Sequence, residues 1–377
     1  MNPRKINAVM RKEFYHIIRD PRSLILAFII PLCLILLFGY ALSLDVNNVE
    51  TVVVDYDRTD LSRDLIEHLA SSPYFHILAY PSKAEEAAWY LDHGQAEVGL
   101  IIPPDFTRNI RSEREAPLQV LMDGSDPNFS TIARGYVNAF TEGYNQKLLV
   151  RFMDRNGIER IKPPVDGRIR VWFNEDLESR QFIIPGIIAV IIMIVGAMLT
   201  SLVIAREYEN GTMETIKSLP LTAAELLLGK AIPYFFITLT DVLISVLLGQ
   251  VLFDVVMKAG FWIMILASSL YIFVALALGL MISIATKSQL LANQGAILIT
   301  YLPSLLLSNF VFPVTNMPVV LQYVTYIVPA TYYIEILSGI YLKNLGFLSL
   351  MPDFAVLAAM FMLLASISMG MLKKEGL

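Results

Sequence analysis

The chain has 377 residues, of which 55% are hydrophobic and 17% charged, and its formal net charge is −5. Soluble domains average about 25% charged residues, so this composition predicts a membrane protein. The negative balance, with no basic cluster beyond the first residues, argues against nucleic acid as a partner. Cys33 is the one cysteine and the four histidines lack metal-ligand spacing. The sequence therefore predicts neither a disulfide framework nor a metal site in this chain.

The first 22 residues have the pattern of an amphipathic helix. In the stretch RKINAVMRKEFYHIIRDPRS, apolar residues recur at helical spacing and the basic residues fall largely on the other face. This pattern is typical of a helix that lies in the cytoplasmic membrane interface. Pro21 ends the helix, and Asp20 is placed to cap the span that follows.

Six segments are apolar and long enough, at roughly 20 residues each, to cross a bilayer core as helices. They cover residues 23–44, 182–205, 231–253, 260–285, 290–312 and 354–372. The first follows a basic region, as a signal peptide does, but its apolar run is too long for one, so we interpret it as an uncleaved anchor. The sequence predicts an α-helical bundle of six transmembrane helices.

Lysine and arginine are unevenly divided between the short flanks of these spans. Six lie in residues 1–22 and three in 206–230, whereas the short connectors predicted on the opposite side hold only Lys258 and Lys343. Basic flanks are typically cytoplasmic. We therefore expect both termini in the cytoplasm and residues 45–180 outside it.

Residues 45–180 alternate between strand-like and helix-like patterns. The strand candidates are VETVVVDYD, FHILAYP, AEVGLIIPP, LQVLMDG and RIRVWFN, and the longest helical pattern runs from about residue 127 to 156. Such alternation with short turns predicts an inserted α/β domain outside the cytoplasm. The turn DGSDPN, which begins at Asp123, is interpreted as a turn followed by a helix cap, and a metal or ligand site there is the alternative.

The connector 206–230 has the residues of helix ends rather than of a loose loop. Gly211 supplies the left-handed conformation that commonly closes a helix, Thr212 is placed to cap a short helix, and Pro220 ends that helix. Thr222 and Glu225 have the spacing of a capping box. The pattern predicts a short rigid helix that contacts another molecule. A well-capped helical hairpin without a partner is the alternative.

Residues 313–353 are less apolar than the spans and are interrupted by four prolines. These are Pro313, Pro318, Pro329 and Pro352. We predict two half-helices in the outer leaflet, because irregular backbone at that depth must be buried in protein or line a wet cavity. The alternative is an ordinary outer loop with one amphipathic helix.

No phosphate-binding loop, HExxH or GxSxG motif occurs, so the chain is not predicted to be an enzyme or to hydrolyse ATP. Asp241 is the one acid well inside a predicted span. An intramembrane carboxylate is a candidate functional group, because its charge is costly there. One interpretation is a proton relay or a contact to a cationic substrate. The other is a carboxyl group that bonds to Thr238, to Ser245 or to a neighbouring span.

Several stretches together resemble the permease subunit of bacterial ATP-binding-cassette (ABC) exporters of the type-2 class. They are RKEFYHIIRDPRSL, GLIIPPDF, MDGSDPN, REYENGTMETIKSLPL, LPSLLLSNFVFPVTNMP and YIVPATYYIEILSGIYLKN. The most specific part is the motif R-E-x-E-x-G-T-x-E, formed by Arg206, Glu207, Glu209, Gly211, Thr212 and Glu214. The resemblance covers essentially the whole chain.

This resemblance implies a dimer of identical or paralogous permeases and a separate ABC ATP-binding subunit that carries ATP and Mg, with no cofactor in this chain. It implies that 206–230 is a coupling helix whose motif residues face the ATPase, with Glu207, Glu209 and Glu214 as contacts. The large outer domain is similar to that of the multidrug-exporter subgroup, in which a periplasmic membrane-fusion adaptor is a further partner. We therefore expect a multi-pass protein of the bacterial inner membrane that exports an amphiphilic substrate, drug-like or lipid-like, by alternating access.

Two other functions are open at this point. A proton- or sodium-coupled secondary transporter would use Asp241, and would be expected to have inverted internal repeats, which the sequence does not display. A membrane-anchored binding or sensory protein would rely on residues 45–180 and would need only one or two spans.

Overall fold

The computed structural model describes residues 1–21, 25–41, 48–125, 127–155, 173 and 178–376. The chain divides into two compact units. One comprises Met1–Ser43 with Val171–Leu377, and the other comprises Leu44–Arg170. We call the first the helical unit and the second the α/β unit.

The helical unit begins with α1 (Pro3–Arg19), as predicted, and Asn2 caps this helix by accepting a hydrogen bond from the amide of Arg4. A π-helical turn (Ile25–Ile29) and α2 (Ile30–Ala41) follow. The first predicted span, 23–44, is thus helical throughout its described residues, 25–41. Residues 22–24, where Asp20 was predicted to cap the span, lie outside the described residues.

The α/β unit is built on a four-stranded sheet. Its elements are β1 (Val49–Asp55), α3 (Asp60–Ala70), β2 (Phe75–Ala79), α4 (Ala84–Asp92), β3 (Val98–Ile102), α5 (Phe106–Arg111), β4 (Gln119–Met122) and α6 (Pro127–Arg155). The strand order is β2-β1-β3-β4, with β1 parallel to both neighbours and β4 antiparallel to β3. The first four predicted strands are therefore confirmed, and the fifth, RIRVWFN, lies outside the described residues except for Phe173.

Both faces of this sheet are covered, as a parallel arrangement requires. Val53 and Leu100 face a core that includes Leu65 of α3 and Tyr144 of α6. Val54 faces the opposite core, which includes α4. In the predicted turn, Asp123 accepts a hydrogen bond from the amide of Ser125 at 2.9 Å. The described residues contain no cluster of metal-ligating side chains.

From residue 178 to 376, the described part of the helical unit contains nine α-helices and two short turns. The α-helices are α7 (Arg180–Glu209), α8 (Thr212–Ser218), α9 (Ala223–Phe253), α10 (Phe261–Thr286), α11 (Gln289–Ala296), α12 (Leu302–Leu306), α13 (Val319–Thr325), α14 (Pro329–Tyr341) and α15 (Phe347–Lys374). A π-helical turn (Ile297–Tyr301) joins α11 to α12, and a 3-10 turn (Val314–Asn316) precedes α13.

Within the described residues, four helices are long and apolar enough to cross a membrane: α7, α9, α10 and α15. The fifth predicted span corresponds to α11, the π-helical turn and α12, and it ends at Leu306 rather than at residue 312. The last span starts at Phe347 rather than at 354, because Pro352 lies inside α15 and does not interrupt it. Six spans therefore stay a prediction, and the described residues contain four helices of sufficient length and apolar character.

The helix α7 forms the centre of the helical unit. In the most apolar 18-residue stretch of α7, 89% is buried inside the protein, whereas in the corresponding stretch of α15 only 17% is buried. Small residues let α10 approach α7 closely, as is common between membrane helices. A Cβ on Gly196 would lie 3.0 Å from the Cβ of Ala275, and one on Gly279 would clash with Ala197 and Thr200.

Two short helices lie in residues 313–353, where half-helices were predicted. The first is α13, which has several exposed apolar side chains. The second is α14, most of whose residues are buried. Their depth in a bilayer stays a prediction.

Candidate functional site

The connector between α7 and α9 has the local structure that its sequence predicts, with one exception. Gly211 has φ +70°, in the left-handed region, and Thr222 and Glu225 form the predicted capping box at the start of α9. The prediction that Thr212 caps α8 is wrong. Gly211 occupies the N-cap position, and the Thr212 hydroxyl donates instead to the carboxylate of Glu207.

Next to this turn lies a cluster of four charged side chains, which we call the ion cluster: Lys12, Glu13, Glu207 and Lys230. All of them are buried except Lys12, which is 60% exposed. The Nζ of Lys230 donates to Oε1 of Glu207 at 2.8 Å and also to Oε1 of Glu13. Lys12 donates to Glu207 at 2.9 Å from the exposed side. The Lys230 side chain is only 1% exposed, and its two carboxylate partners are buried as well.

The ion cluster joins three helices. Glu13 belongs to α1, Glu207 to the last turn of α7, and Lys230 to the third turn of α9. Such a buried arrangement is stable only while its charges are matched, because removing one partner leaves an uncompensated buried charge. Lys230 is the buried cation that Glu13 and Glu207 share, and Lys12 adds a second cation to Glu207 from the exposed side. The hydroxyl of Tyr234 adds a hydrogen bond to Glu13 at 3.5 Å.

Hydrogen bonds and close packing hold the helix α1 against the connector. The amide of Asn2 donates to Oε1 of Glu225 at 2.7 Å, and Lys5 donates to the carbonyl of Pro220. A Cβ on Gly229 would lie 2.7 Å from the Cβ of Val9, so the two backbones are very close. The helix α1 and the connector therefore form one packed body.

A second set of polar contacts holds the opposite side of the connector. Glu209 accepts hydrogen bonds from the backbone amide of Gln289 at 2.7 Å and from its side-chain amide at 2.5 Å. Glu375, beyond the last span, lies 2.5 Å from Lys287 and 3.7 Å from Lys217. The hydrogen bond from Lys287 lowers the pKa of Glu375 below its ordinary value. The connector is thus tied to the start of α11 and to the end of the chain.

The six predicted site residues have different environments. Arg206 is partly buried and lies 3.7 Å from Asp20, Glu207 is inside the ion cluster, and the Thr212 side chain binds Glu207. Glu209 is exposed but bonded to Gln289, whereas Gly211 and Glu214 are exposed at the surface. The structure thus places Arg206, Glu207 and Thr212 along one cavity beside the connector, with Thr212 bonded to Glu207.

Sequence reasoning missed three members of the ion cluster, namely Lys12, Glu13 and Lys230. One signal was available for Glu13, because it lies in the helical stripe of Ile6, Val9 and Ile17 that α1 buries. A glutamate within a buried apolar stripe needs a partner of opposite charge, because acidic side chains are almost never fully buried unless they are paired.

Asp241 lies on the buried face of α9, together with Thr238 and Ser245, and each of the three residues is at most 1% exposed. Within the described part of the chain, no hydrogen-bond partner exists for Oδ2 of Asp241 or for the hydroxyls of Thr238 and Ser245. The proposed bonds from Asp241 to these two hydroxyls are thus not seen at that oxygen. An unpaired buried polar group is costly.

Comparison with known proteins assigns the chain to a family. The chain matches the family described as "ABC-2 family transporter protein" over residues 21–369, and it therefore belongs to that family. It is 36% identical over 342 residues to "Probable multidrug ABC transporter permease YbhS" of Escherichia coli strain K12, which covers 90% of this chain and 89% of the relative.

Two further relatives extend this picture. The chain is 30% identical over 337 residues to "Probable multidrug ABC transporter permease YbhR" of the same strain, which covers 89% of both chains. It is 22% identical over 356 residues to "ABC transporter G family member 20" of Dictyostelium discoideum, which covers 90% of this chain and 46% of the relative. The resemblance that the motifs indicate is thereby confirmed.

Proposed function

We propose that the chain is the permease subunit of an ATP-driven exporter in the bacterial inner membrane. Its ABC-2 family membership supports this assignment, since such transporters are driven by an ATP-binding cassette and this chain has no phosphate-binding loop. The distribution of Lys and Arg supports six spans with both termini and the connector in the cytoplasm and residues 45–180 outside. ATP and Mg are bound by a separate subunit.

The ion cluster is the observation that carries the coupling mechanism. Because Lys230 binds carboxylates from both α1 and α7, a displacement of the connector also moves α1 and the start of α9. A push from an ATPase subunit would therefore tilt α7 and α9 together rather than bend the connector. In this mechanism Glu207 acts inside the joint and not at the partner's surface.

The exposed side of α8 is the surface that we assign to the ATPase subunit. Glu214 and Gly211 are exposed there, and Glu214 is free to pair with a basic side chain of the partner. Exposed ion pairs are individually weak. A surface of this kind suits a contact that changes during each ATP cycle.

The substrate we propose is an amphiphilic, drug-like molecule. The two relatives from Escherichia coli are named as multidrug permeases, and they align with nearly the whole chain. Transport would follow alternating access, in which ATP shifts the balance between an inward-open and an outward-open state. A second permease subunit, identical or paralogous, would complete the pathway, and the α/β unit would meet a periplasmic adaptor.

The test is to purify the tagged chain gently from its native membranes, identify co-purifying proteins by mass spectrometry, and measure ATP-dependent export of a lipophilic cationic dye. Glu214→Ala is expected to weaken retention of the ATPase subunit, whereas Thr215→Ala, at an equally exposed neighbouring position, should not. Equal retention in both variants would refute the docking surface. The absence of any ATPase subunit under several mild conditions would refute the exporter.

A second candidate function is favoured by one observation. Within the described residues, Oδ2 of Asp241 has no hydrogen-bond partner, and neither have the hydroxyls of Thr238 and Ser245 about one turn away on the same helix. This is the environment expected of a group that exchanges a proton or binds a small cation. Transport driven by a proton or sodium gradient without ATP would support this alternative.

A further inference from the structure

A groove opens beside α1 on the flank opposite the ion cluster. It has a volume of about 510 Å³ and lies between α1, the π-helical turn Ile25–Ile29 and α9. Its walls are almost entirely apolar, and they include Met10, Phe14, Phe28, Phe236 and Ile237. Drug-sized and lipid-sized ligands occupy cavities of this size.

One end of the groove is polar. Asn7 and Arg11, one helical turn apart on α1, both line it. The Arg11 guanidinium lies 5.7 Å above the ring of Tyr15, and none of the described carboxylates forms an ion pair with it. No acidic side chain occurs among the residues that line the groove. This end therefore offers two donors and one uncompensated positive charge to an anionic group.

Two of the apolar side chains that line the groove are largely uncovered by protein. Phe14 is 52% exposed and Phe236 is 59% exposed. On an amphipathic helix beside a membrane span, such side chains are covered by acyl chains. The lining of α9 extends from Ile232 to Thr240, which is about 12 Å along the helix axis at 1.5 Å per residue. Asn7 and Arg11 thus lie on the interfacial helix α1, and the apolar walls are shared between α1 and the span α9.

We propose that this groove binds one anionic phospholipid of the inner leaflet, with its phosphate at Arg11 and Asn7 and an acyl chain along Phe14, Phe28 and Phe236. Charge complementarity selects this occupant, because the polar end holds a cation and donors without an acid. A zwitterionic lipid carries a compensating cation that this end does not match. The proposal rests on the bilayer position of α9 and is independent of ATP-driven export.

The experiment uses the full chain in phosphatidylcholine vesicles that contain a trace of phosphatidylglycerol with a photoreactive diazirine in one acyl chain. After illumination, mass spectrometry maps the labelled peptides. We expect label on the peptides that contain Phe28 and Phe236. It should exceed by roughly fivefold the label left by a diazirine phosphatidylcholine probe, the ratio that one surface cation gives toward anionic lipid.

Two matched pairs of variants locate the lipid. Arg11→Gln should abolish the preference for phosphatidylglycerol, whereas Arg4→Gln, at an exposed arginine of the same helix outside the groove, should keep it. Phe236→Ala should reduce labelling of α9, whereas Leu247→Ala should not, although both side chains are 59% exposed.

Three results would overturn the proposal, and the first two need no variant. They are equal labelling by the two probes in the wild-type chain, label spread evenly around α9, and a preference for phosphatidylglycerol that survives Arg11→Gln. Competition of the label by the lipophilic dye, without any dependence on headgroup charge, would assign the groove to a transported amphiphile instead. Loss of ATP-dependent export would leave the lipid result unaffected.

Discussion

Two of the ionisable side chains that the helix α9 buries, Lys230 and Asp241, differ sharply in their partners. Lys230, near its start, is enclosed by Glu13 and Glu207. Asp241, about 16 Å further along the axis at 1.5 Å per residue, has an oxygen without a partner in the described residues. The same helix thus contains a lysine that pairs with carboxylates of α1 and α7, and a carboxyl group for which the described residues show no such pairing.

This difference separates two roles for buried polar groups. A matched cluster stabilises one arrangement of α1, α7 and α9, because any separation exposes an uncompensated charge to the protein interior. An unmatched carboxyl group does not fix an arrangement. It raises the free energy of the folded state until a proton, a water molecule or another group satisfies it.

The largest effect is expected from breaking the ion cluster. Lys230→Met should destabilise the helical unit by about 3–5 kcal/mol, since Glu13 and Glu207 would stay buried without their shared cation. The measurement is the fraction of monodisperse protein after heating in detergent. Lys12→Met is the matched control, because its side chain is 60% exposed, and it should cost no more than about 1 kcal/mol.

A combined variant tests whether charge matching is the cause. Adding Glu13→Gln and Glu207→Gln to Lys230→Met should recover much of the loss, because no buried charge is then left unpaired. A triple variant as unstable as Lys230→Met would instead indicate that the lysine acts through its packing.

The next effect concerns the turn above the ion cluster. Gly211→Ala should destabilise the chain by about 1 kcal/mol, because its φ of +70° is unfavourable for a residue with a Cβ. No atom lies within 4 Å of the added Cβ, so the change acts through the backbone alone. Gly370→Ala, within α15 and also in open space, should change stability in the opposite direction. Equal effects at the two positions would contradict this explanation.

Which features the sequence predicts depends on how far apart in the chain the contacting residues lie. The capping box at Thr222, the left-handed Gly211 and four strands follow from local patterns, and the structure contains them. The ion cluster does not, because it joins Glu13 to Lys230 across more than half the chain, and no local pattern encodes that pairing. The failure at Thr212 has a different origin, since Gly211 takes the N-cap position and the nearby Glu207, five residues earlier, accepts the hydrogen bond of the Thr212 hydroxyl.

Asp64 extends the comparison of Lys230 with Asp241 to a paired charge that is partly exposed. In the α/β unit, Asp64 of α3 accepts two hydrogen bonds of 2.9 Å from Arg151 of α6 and one of 3.2 Å from Lys147. The hydrogen bonds from Arg151 lower the pKa of Asp64 from 3.8 to about 2. Because the pKa is lower in the folded state, this stabilisation is present above the unfolded value of 3.8 and is lost as the pH falls through about 2.

Arg151→Met should therefore cost about 0.5–1 kcal/mol near neutral pH and almost nothing once the pH has fallen through the folded pKa. The measurement is thermal unfolding followed by the fluorescence of Trp89 in α4, after Trp172→Phe and Trp262→Phe. Arg134→Met, elsewhere on α6, is the control. A cost that is the same at both pH values would mean that Arg151 acts through packing.

The smallest effect on stability is expected at Asp241, and this contrast with Lys230 decides between the two proposed functions. Asp241→Asn keeps the shape and removes the charge, so no buried partner is left uncompensated and the chain should be as stable as the wild type or slightly more stable. If export is driven by ATP through the connector, dye export and its pH profile should also be unchanged. If Asp241 exchanges a proton or binds a cation, export should collapse while stability stays at the wild-type value. Lys230→Met cannot mimic that pattern, because it loses stability together with export.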